Sequence, residues 1–198
     1  MSRFAPLLKI AKTKREPLLK TSNALRLVNG IADEFPGLTL DQFNSHFQLQ
    51  FFTAELLPYK EELIRSIVEI WNPLYLVSKY RLDPDGKKLE SPLIVTEIGE
   101  SLSSSTEVQE GQARFVVDLK DTINPGLFLD MRDIRIEIGS RSTSKTLLNL
   151  FSYTCSFAVH ARLGGATKVT NVDISSKILE KGRANYQLNG LTCLPGEF

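Results

Sequence analysis

The chain has 198 residues, of which 42% are hydrophobic and 24% charged, and this ordinary globular composition excludes wholesale disorder. A formal net charge of +1 excludes a uniformly basic, histone-like protein. The two cysteines match no metal or redox spacing, so we predict neither a disulfide-stapled fold nor a metal site. No apolar run is long enough to span a membrane and no signal peptide is visible, so we expect a cytoplasmic protein without membrane contact.

Positive charge is concentrated at the start of the sequence. Residues 1–26 hold seven Lys/Arg and one acid, a net +6, whereas residues 27–113 carry −8 and residues 114–198 carry +3. A cationic segment suits the neutralisation of RNA phosphates, but a solvated, frayed terminus explains it as well. The cations concerned are Arg3, Lys9, Lys12, Lys14, Arg15, Lys20 and Arg26.

The first part of the chain predicts an α+β module of mainly antiparallel strands. Residues 47–51 alternate apolar and polar side chains with period two, which indicates a strand with one buried face. An amphipathic helix is predicted from Pro58 to Trp71, ended by Asn72-Pro73. Further strands are predicted at Tyr75–Tyr80, Leu93–Ile98 and Arg114–Val117.

After Val117 the pattern changes to that of an α/β domain. Apolar residues from Leu127 to Ile138 predict a helix that Gly139 ends. Residues 146–151 form an apolar run typical of a parallel strand covered on both faces. A helix, a second strand ending at Asp173 and another helix follow, which is the opening of a doubly wound sheet. We therefore predict two domains, residues 1–117 and 118–198.

Two features mark the edge of that sheet where a ligand binds. The loop Phe151–Ser156 leads from the first strand into a helix, whose free N–H groups face a polar or anionic ligand. Asp173 ends the second strand, where a carboxylate suits hydrogen bonds to ribose hydroxyls, and the alternative is that it caps the next helix. Together these features indicate a cofactor that contains adenosine.

The composition of the loop favours S-adenosylmethionine over a dinucleotide. No glycine lies between Leu147 and Leu163, whereas nicotinamide and flavin cofactors need a glycine-rich loop for their pyrophosphate. S-adenosylmethionine has no phosphate, and the rings of Phe151 and Tyr153 suit packing near adenine or the cationic sulfonium. For Phe151, simple packing as a continuation of the apolar strand is an equally good explanation.

Three sequence motifs resemble one known family. Residues 147–154 read Leu-Leu-Asn-Leu-Phe-Ser-Tyr-Thr and, with Phe157-Ala158-Val159 and Gly164-Gly165-Ala166, closely resemble the cofactor motif of class I ribosomal large-subunit RNA methyltransferases. These S-adenosylmethionine-dependent enzymes are related to the 5-methylcytosine-forming type. Residues 126–135 are similar to that family's signature before the first strand, and residues 26–41 to the start of its central module. The resemblance covers about residues 22–198.

The resemblance implies an RNA-facing module, a Rossmann-like methyltransferase domain, S-adenosylmethionine as cofactor and large-subunit rRNA as substrate. Arg132 and Arg135 would support the cofactor's carboxylate or an RNA phosphate, and the sequence does not choose between these. The alternative function is a non-catalytic RNA-binding or assembly protein that retains only the module. The predicted cofactor-binding residues are Asp173, Phe151, Ser152, Tyr153, Thr154, Ser156 and Arg132.

The sequence departs from the family pattern in three ways, one being that we expect no amino-terminal RNA-binding domain of the kind found in many members. Cys155 stands where the family usually has glycine, and without a base partner it is better explained as a buried small residue than as a nucleophile. The family's proline-rich substrate motif is missing, so we expect a C-terminally truncated chain without catalytic residues. Its incomplete sheet edge would favour association, including a homodimer. His160 is expected at the surface or boundary of its helix.

Overall fold

The computed structural model describes residues 2–83, 85–100 and 104–198. They divide into two compact units. The first unit comprises the residues up to Thr106 together with Asp118–Pro125, and the second comprises Glu107–Val117 together with Gly126–Phe198. This division differs from the predicted boundary at 117/118, because residues 107–117 group with the second unit and residues 118–125 with the first. Within the described ranges, no helix is both long and apolar enough to cross a membrane.

The described residues form an α/β structure that contains a mixed sheet. The α-helices are α1 (Ala5–Arg15), α2 (Lys60–Trp71), α3 (Arg132–Ser140), α4 (Ser156–Leu163) and α5 (Ser176–Leu188). The strands are β1 (Ala24–Asn29), β2 (Leu38–Phe43), β3 (His46–Phe51), β4 (Tyr75–Leu82), β5 (Lys88–Ile98), β6 (Ser105–Glu110), β7 (Ala113–Asp118), β8 (Thr146–Leu150) and β9 (Lys168–Val172).

The first unit is built on a five-stranded mixed sheet in the order β1-β2-β3-β4-β5. Three of its strand pairings are antiparallel, whereas β3 and β4 run parallel. Helix α2 connects β3 to β4, since a parallel pair needs a crossover connection. The helix predicted over 58–71 is confirmed, and its buried residues include Leu63 and Ile67.

The core of the first unit lies between the sheet and its helices. Phe47, Leu49 and Phe51 alternate along β3 and belong to one buried apolar cluster with residues of α1 and α2. The intervening Gln48 and Gln50 point to the opposite face, as the period-two pattern predicts. That opposite face is also buried, and the side-chain N–H of Gln48 donates to the carbonyl oxygen of Leu119 at 3.3 Å.

Helix α1 was not predicted, and the explanation of residues 1–26 as a frayed, solvated terminus is wrong. Leu8 and Ala11 on this helix are buried in the core cluster. Several of its cations are used inside the first unit: Arg15 donates to both carboxylate oxygens of Asp33, and Lys12 donates to the Ile70 carbonyl at 3.0 Å. The helix was missed because its buried apolar face is short and lies among many cationic residues.

The second unit holds a hairpin and a parallel strand pair. The hairpin is formed by β6 and β7, apart from the first two residues of β6 and the last residue of β7. Strands β8 and β9 pair in parallel, with Thr146 opposite Lys168 and Leu150 opposite Val172. Helix α4 connects them and α5 follows β9, so the predicted order of strand, helix, strand and helix is confirmed.

Strand β8 differs from the predicted doubly covered strand. Leu148 and Leu150 are 62% and 55% exposed in the structure, whereas Asn149 between them is buried. Alternate strand residues point to opposite faces, so the exposed leucines share one face of β8. In the described part of the chain that face is open to solvent.

Helix α3 begins later than predicted. The predicted helix includes Leu127 and Phe128, but a 3₁₀ turn occupies Leu129–Met131 and the α-helix starts at Arg132. Phe128 has extended backbone, with φ −85° and ψ 108°. The Gly126 carbonyl just before it accepts a hydrogen bond from the Thr154 hydroxyl at 2.7 Å, so it is satisfied by a distant side chain instead of a helical N–H.

Candidate functional site

The loop between β8 and α4 has an unusual backbone. Phe151, Tyr153 and Cys155 all adopt left-handed conformations, with φ of 53°, 49° and 61°. Each such residue costs about 1–2 kcal/mol relative to ordinary backbone, because its Cβ crowds a neighbouring carbonyl. Strain of this kind persists where surrounding contacts hold it and is concentrated at functional sites. The loop is therefore the leading candidate for a site in the second unit.

Asp173 holds this loop at the end of β9. One carboxylate oxygen accepts the backbone N–H of Tyr153 at 2.9 Å, and the other accepts the backbone N–H of Ser175 at 3.0 Å. The N–H of Ser152 donates to the Val172 carbonyl at 3.0 Å, which continues the strand pairing into the loop. The structure thus brings together the two features that the sequence placed at one sheet edge.

Asp173 is not the N-cap of helix α5. Ser175 occupies that position, and its hydroxyl oxygen accepts the Ile178 N–H at 3.3 Å. The capping explanation considered for Asp173 therefore applies to Ser175. A carboxylate oxygen has more than one acceptor position, so the two backbone contacts leave Asp173 able to accept further hydrogen bonds.

The small polar residues of the loop are buried. The Thr154 hydroxyl binds the Gly126 carbonyl, and the Thr154 carbonyl accepts the side-chain N–H of Asn185 at 3.0 Å. Ser156 is also buried. The Ser152 hydroxyl oxygen is buried, and among the described residues it has no hydrogen-bond partner at normal distance. Its polar neighbour is the thiol of Cys155, which is only a weak hydrogen-bonding group.

Cys155 is a packing residue, as the sequence indicated. Its side chain is fully buried, and burial raises the pKa of the thiol to about 11. A Cβ on Gly182 of α5 would lie 2.4 Å from the Cys155 sulfur, so the thiol fills the space where α5 approaches the loop. A protonated, inaccessible thiol is a poor nucleophile.

The aromatic residues at the loop differ in their surroundings. Phe151 is 91% exposed, so the explanation that it packs as a continuation of β8 is wrong. The ring of Tyr153 lies against Phe128, with centroids 5.3 Å apart and planes tilted by 58°. Phe128 is 47% exposed and was not predicted near this loop, because the apolar period assigned it to a helix face. Its position in the motif at residues 126–135 was the available signal.

The two arginines considered in the sequence already have carboxylate partners in the structure. Arg132 pairs with the neighbouring Asp133, its Nε 2.9 Å from the carboxylate. Arg135 is fully buried and donates to both oxygens of Glu110 at 2.7 Å. The expectation that Arg135 supports a cofactor carboxylate or an RNA phosphate is therefore wrong, because its guanidinium is already committed to an internal ion pair.

His160 belongs to the same buried cluster, and its expected position at the surface or boundary is wrong. It is only 7% exposed, and its Nε2 lies 3.0 Å from Glu110 Oε1. Burial by itself raises the pKa of Glu110, but hydrogen bonds from Arg135 and His160 outweigh burial and hold that pKa below its usual value. The cluster connects the β6–β7 hairpin to α3 and α4, so its role in the second unit is structural.

Comparison with known proteins identifies the family. The family model for S-adenosylmethionine-dependent methyltransferases matches residues 72–194. The chain belongs to this family. Ribosomal RNA large subunit methyltransferase I of Aeromonas salmonicida is 32% identical over 192 residues, covering 95% of this chain and 48% of that protein. The K/L enzyme of Acinetobacter baylyi is 49% identical over 85 residues, covering 43% of this chain and 12% of that protein.

A solved methyltransferase structure shares the fold of the chain. SMU.776, provisionally assigned as a methyltransferase and crystallised with SAH, superimposes with a TM-score of 0.85 at 26% identity. The match covers 98% of this chain and 49% of SMU.776. The chain thus spans about half the length of SMU.776 and of the Aeromonas methyltransferase.

Proposed function

We propose that this chain supplies the S-adenosylmethionine-binding part of an RNA methyltransferase that acts on large-subunit ribosomal RNA. The observation that carries the proposal is the hydrogen bond from the Tyr153 backbone to Asp173, which joins a strained loop to a carboxylate at the ends of two parallel strands. Ligands of open α/β sheets bind at this edge.

The residues present fit this cofactor. Asp173 would bind the ribose hydroxyls through its remaining acceptor positions. The buried Ser152 hydroxyl, which lacks a partner at ordinary distance in the described residues, is a polar group that a bound ligand would satisfy. Phe151, Tyr153 and the polar loop residues Thr154 and Ser156 would surround the adenosine and methionine portions. When bound, the cofactor supplies an electrophilic methyl group on its sulfonium.

Arg132 has the weakest support among the proposed cofactor residues. Its side chain is largely covered and pairs with Asp133 on the same helix. A cofactor carboxylate would have to compete with Asp133 for this guanidinium. We propose that Arg132 contributes less to cofactor binding than Asp173.

Support for an RNA substrate comes from the relatives and from surface charge. Both relatives described above are named as ribosomal RNA large subunit methyltransferases. In the first unit, which overlaps the proposed RNA-facing module at residues 1–117, Lys9 and Lys20 remain exposed although Arg15 is paired internally. Exposed cations of this kind neutralise phosphates and make RNA binding dependent on salt.

Calorimetric titration of S-adenosylmethionine into the purified 198-residue chain tests the cofactor site. Asp173→Asn removes the charge and one acceptor, and we expect at least a tenfold loss of affinity because paired hydrogen bonds to the ribose are lost. Asp85→Asn, at an exposed turn of the first unit, is the matched control and should bind like the wild type. Absence of binding by the wild-type chain would overturn the proposed cofactor site.

Filter binding of transcribed large-subunit rRNA fragments tests the substrate. We expect affinity that falls steeply between 50 and 200 mM salt, as phosphate contacts predict, and stronger binding than to an unrelated RNA of equal length. RNA binding without any S-adenosylmethionine binding would instead favour a non-catalytic RNA-binding protein.

A further inference from the structure

The ring pair Phe128–Tyr153 stands beside the carboxylate that the proposed function assigns to the ribose. Tyr153 donates its backbone N–H to Asp173, and its ring lies 5.3 Å from that of Phe128. The preceding segment is fixed independently, because the Thr154 hydroxyl binds the Gly126 carbonyl at 2.7 Å. One hydrogen bond therefore fixes the backbone of Tyr153, and the other fixes the segment that leads into Phe128.

The Phe128 ring is available for a ligand. Nearly half of its surface is exposed, although its ring packs against the ring of Tyr153 in the loop. The phenyl ring has no hydrogen-bonding group, so what it offers a ligand is apolar area and the negative face of its π system. A negative π face attracts cations within about 6 Å.

The chemistry of the cofactor places a cation within reach of these rings. In S-adenosylmethionine the sulfonium sulfur is bonded to the C5′ methylene of the ribose. A carboxylate that binds the ribose hydroxyls therefore keeps the sulfonium at a distance from itself of about the width of one sugar ring. Tyr153 is the aromatic residue whose backbone N–H donates to Asp173, and the ring of Phe128 packs against the ring of Tyr153.

We propose that Phe128, together with Tyr153, forms an aromatic wall that binds the sulfonium of S-adenosylmethionine and selects it over the uncharged thioether S-adenosylhomocysteine. This inference rests on the proposed function, because it uses the ribose position at Asp173. It also gives Phe128 a role in the release of S-adenosylhomocysteine. Once the methyl group has been transferred, the sulfur is neutral and the aromatic wall no longer attracts it.

Calorimetric titration with both ligands tests the wall. In the wild-type chain S-adenosylmethionine should bind more tightly than S-adenosylhomocysteine. Phe128→Leu keeps apolar bulk and removes the π face, so we expect a three- to tenfold loss of affinity for S-adenosylmethionine and less than a twofold change for S-adenosylhomocysteine. Phe128→Tyr should retain the wild-type preference because it keeps the ring.

A fluorinated ring separates charge from shape. Replacing Phe128 with pentafluorophenylalanine reverses the sign of the ring quadrupole at nearly constant shape, so affinity for S-adenosylmethionine alone should fall. Phe52→Leu is the matched control: Phe52 lies in the first unit, is 44% exposed, and should leave both affinities unchanged. Thermal unfolding of each variant checks that the second unit is intact.

Each outcome separates this inference from the proposed function. Equal losses for both ligands indicate stacking on adenine or simple packing, and unchanged affinities indicate no contact. Either result overturns the aromatic wall and leaves the cofactor site in place. Failure of the wild-type chain to bind either ligand overturns the proposed function and the wall with it.

Discussion

The carboxylate of Asp173 accepts the backbone N–H of Tyr153 at 2.9 Å, although the two residues are 20 positions apart in the sequence. Tyr153 has a φ of 49°, a conformation that an isolated loop would rarely populate. The hydrogen bond compensates part of that cost and fixes the loop against the end of β9. One side chain thus stabilises the backbone of the site and remains able to accept further hydrogen bonds.

Removing this carboxylate should destabilise the second unit even without ligand. For Asp173→Ala we expect the free energy of unfolding to fall by about 1–3 kcal/mol, because two backbone N–H groups lose a charged acceptor. Urea denaturation followed by circular dichroism measures the change. An unchanged denaturation midpoint would show that solvent satisfies these N–H groups equally well.

The two cysteines should differ in reactivity. At pH 8 we expect only one of the two thiols, that of the half-buried Cys193, to react readily with Ellman's reagent. Cys155 should not react, because it is fully buried and burial raises the pKa of its thiol to about 11. Cys155 should react only after denaturation in urea. In Cys193→Ser the native chain should show almost no reaction, and rapid labelling of that variant would contradict the buried position of Cys155.

Breaking the buried cluster at Glu110 should be costly. Glu110→Gln leaves the buried guanidinium of Arg135 without its counter-ion, so we expect a loss of about 3–5 kcal/mol in unfolding free energy at pH 7. The double variant Glu110→Leu with Arg135→Met removes both charges of the ion pair and should be less destabilised than Glu110→Gln.

The Glu110 cluster also predicts an acid dependence. The pKa of Glu110 is lower in the folded chain than its ordinary value, so its contribution to stability is present above that ordinary value, near 4.5. The contribution is lost as pH falls through the folded pKa. The stability difference between wild type and Glu110→Gln should therefore shrink on acidification, and a difference independent of pH would contradict this.

Lys79 of the first unit predicts a dependence at alkaline pH. It is 1% exposed, and its Nζ donates to the carbonyls of Asp121 and Ile123 at 3.2 and 3.4 Å. Burial, with a smaller contribution from Arg81, lowers its pKa from 10.5 to about 8. Between these values the unfolded chain binds more protons than the folded one, so stability rises with pH from about 8 to 10.5.

Comparison with Lys79→Met isolates this titration, because other alkaline groups are common to both proteins. The unfolding free energy of the wild type should gain about 2–3 kcal/mol relative to Lys79→Met across that pH interval, as an upper bound for a fully buried amine. Parallel pH curves for the two proteins would show that Lys79 keeps its ordinary pKa.

Local patterns predicted most of the secondary structure of the second unit. The order from β8 to α5 and the meeting of Asp173 with the Phe151–Ser156 loop follow from short-range rules, since strand period and loop position decide which residues reach one sheet edge. These rules did not predict helix α1 or the residue at which α3 begins. In both places apolar residues are fixed by distant partners, such as the core cluster around Leu8 and the bond from Thr154 to Gly126.

Residue chemistry alone did not show which charged groups are free. The sequence predicted Arg15 and Arg135 as cations available to a ligand and His160 as a surface or boundary residue, yet each is paired with a carboxylate 18 to 50 positions away. Ion pairs over such separations depend on how helices and hairpins pack, which no local pattern encodes. Short sequence motifs therefore indicated the family and its cofactor, whereas only the tertiary structure decided which side chains are available to a ligand, because burial and pairing are properties of the folded chain.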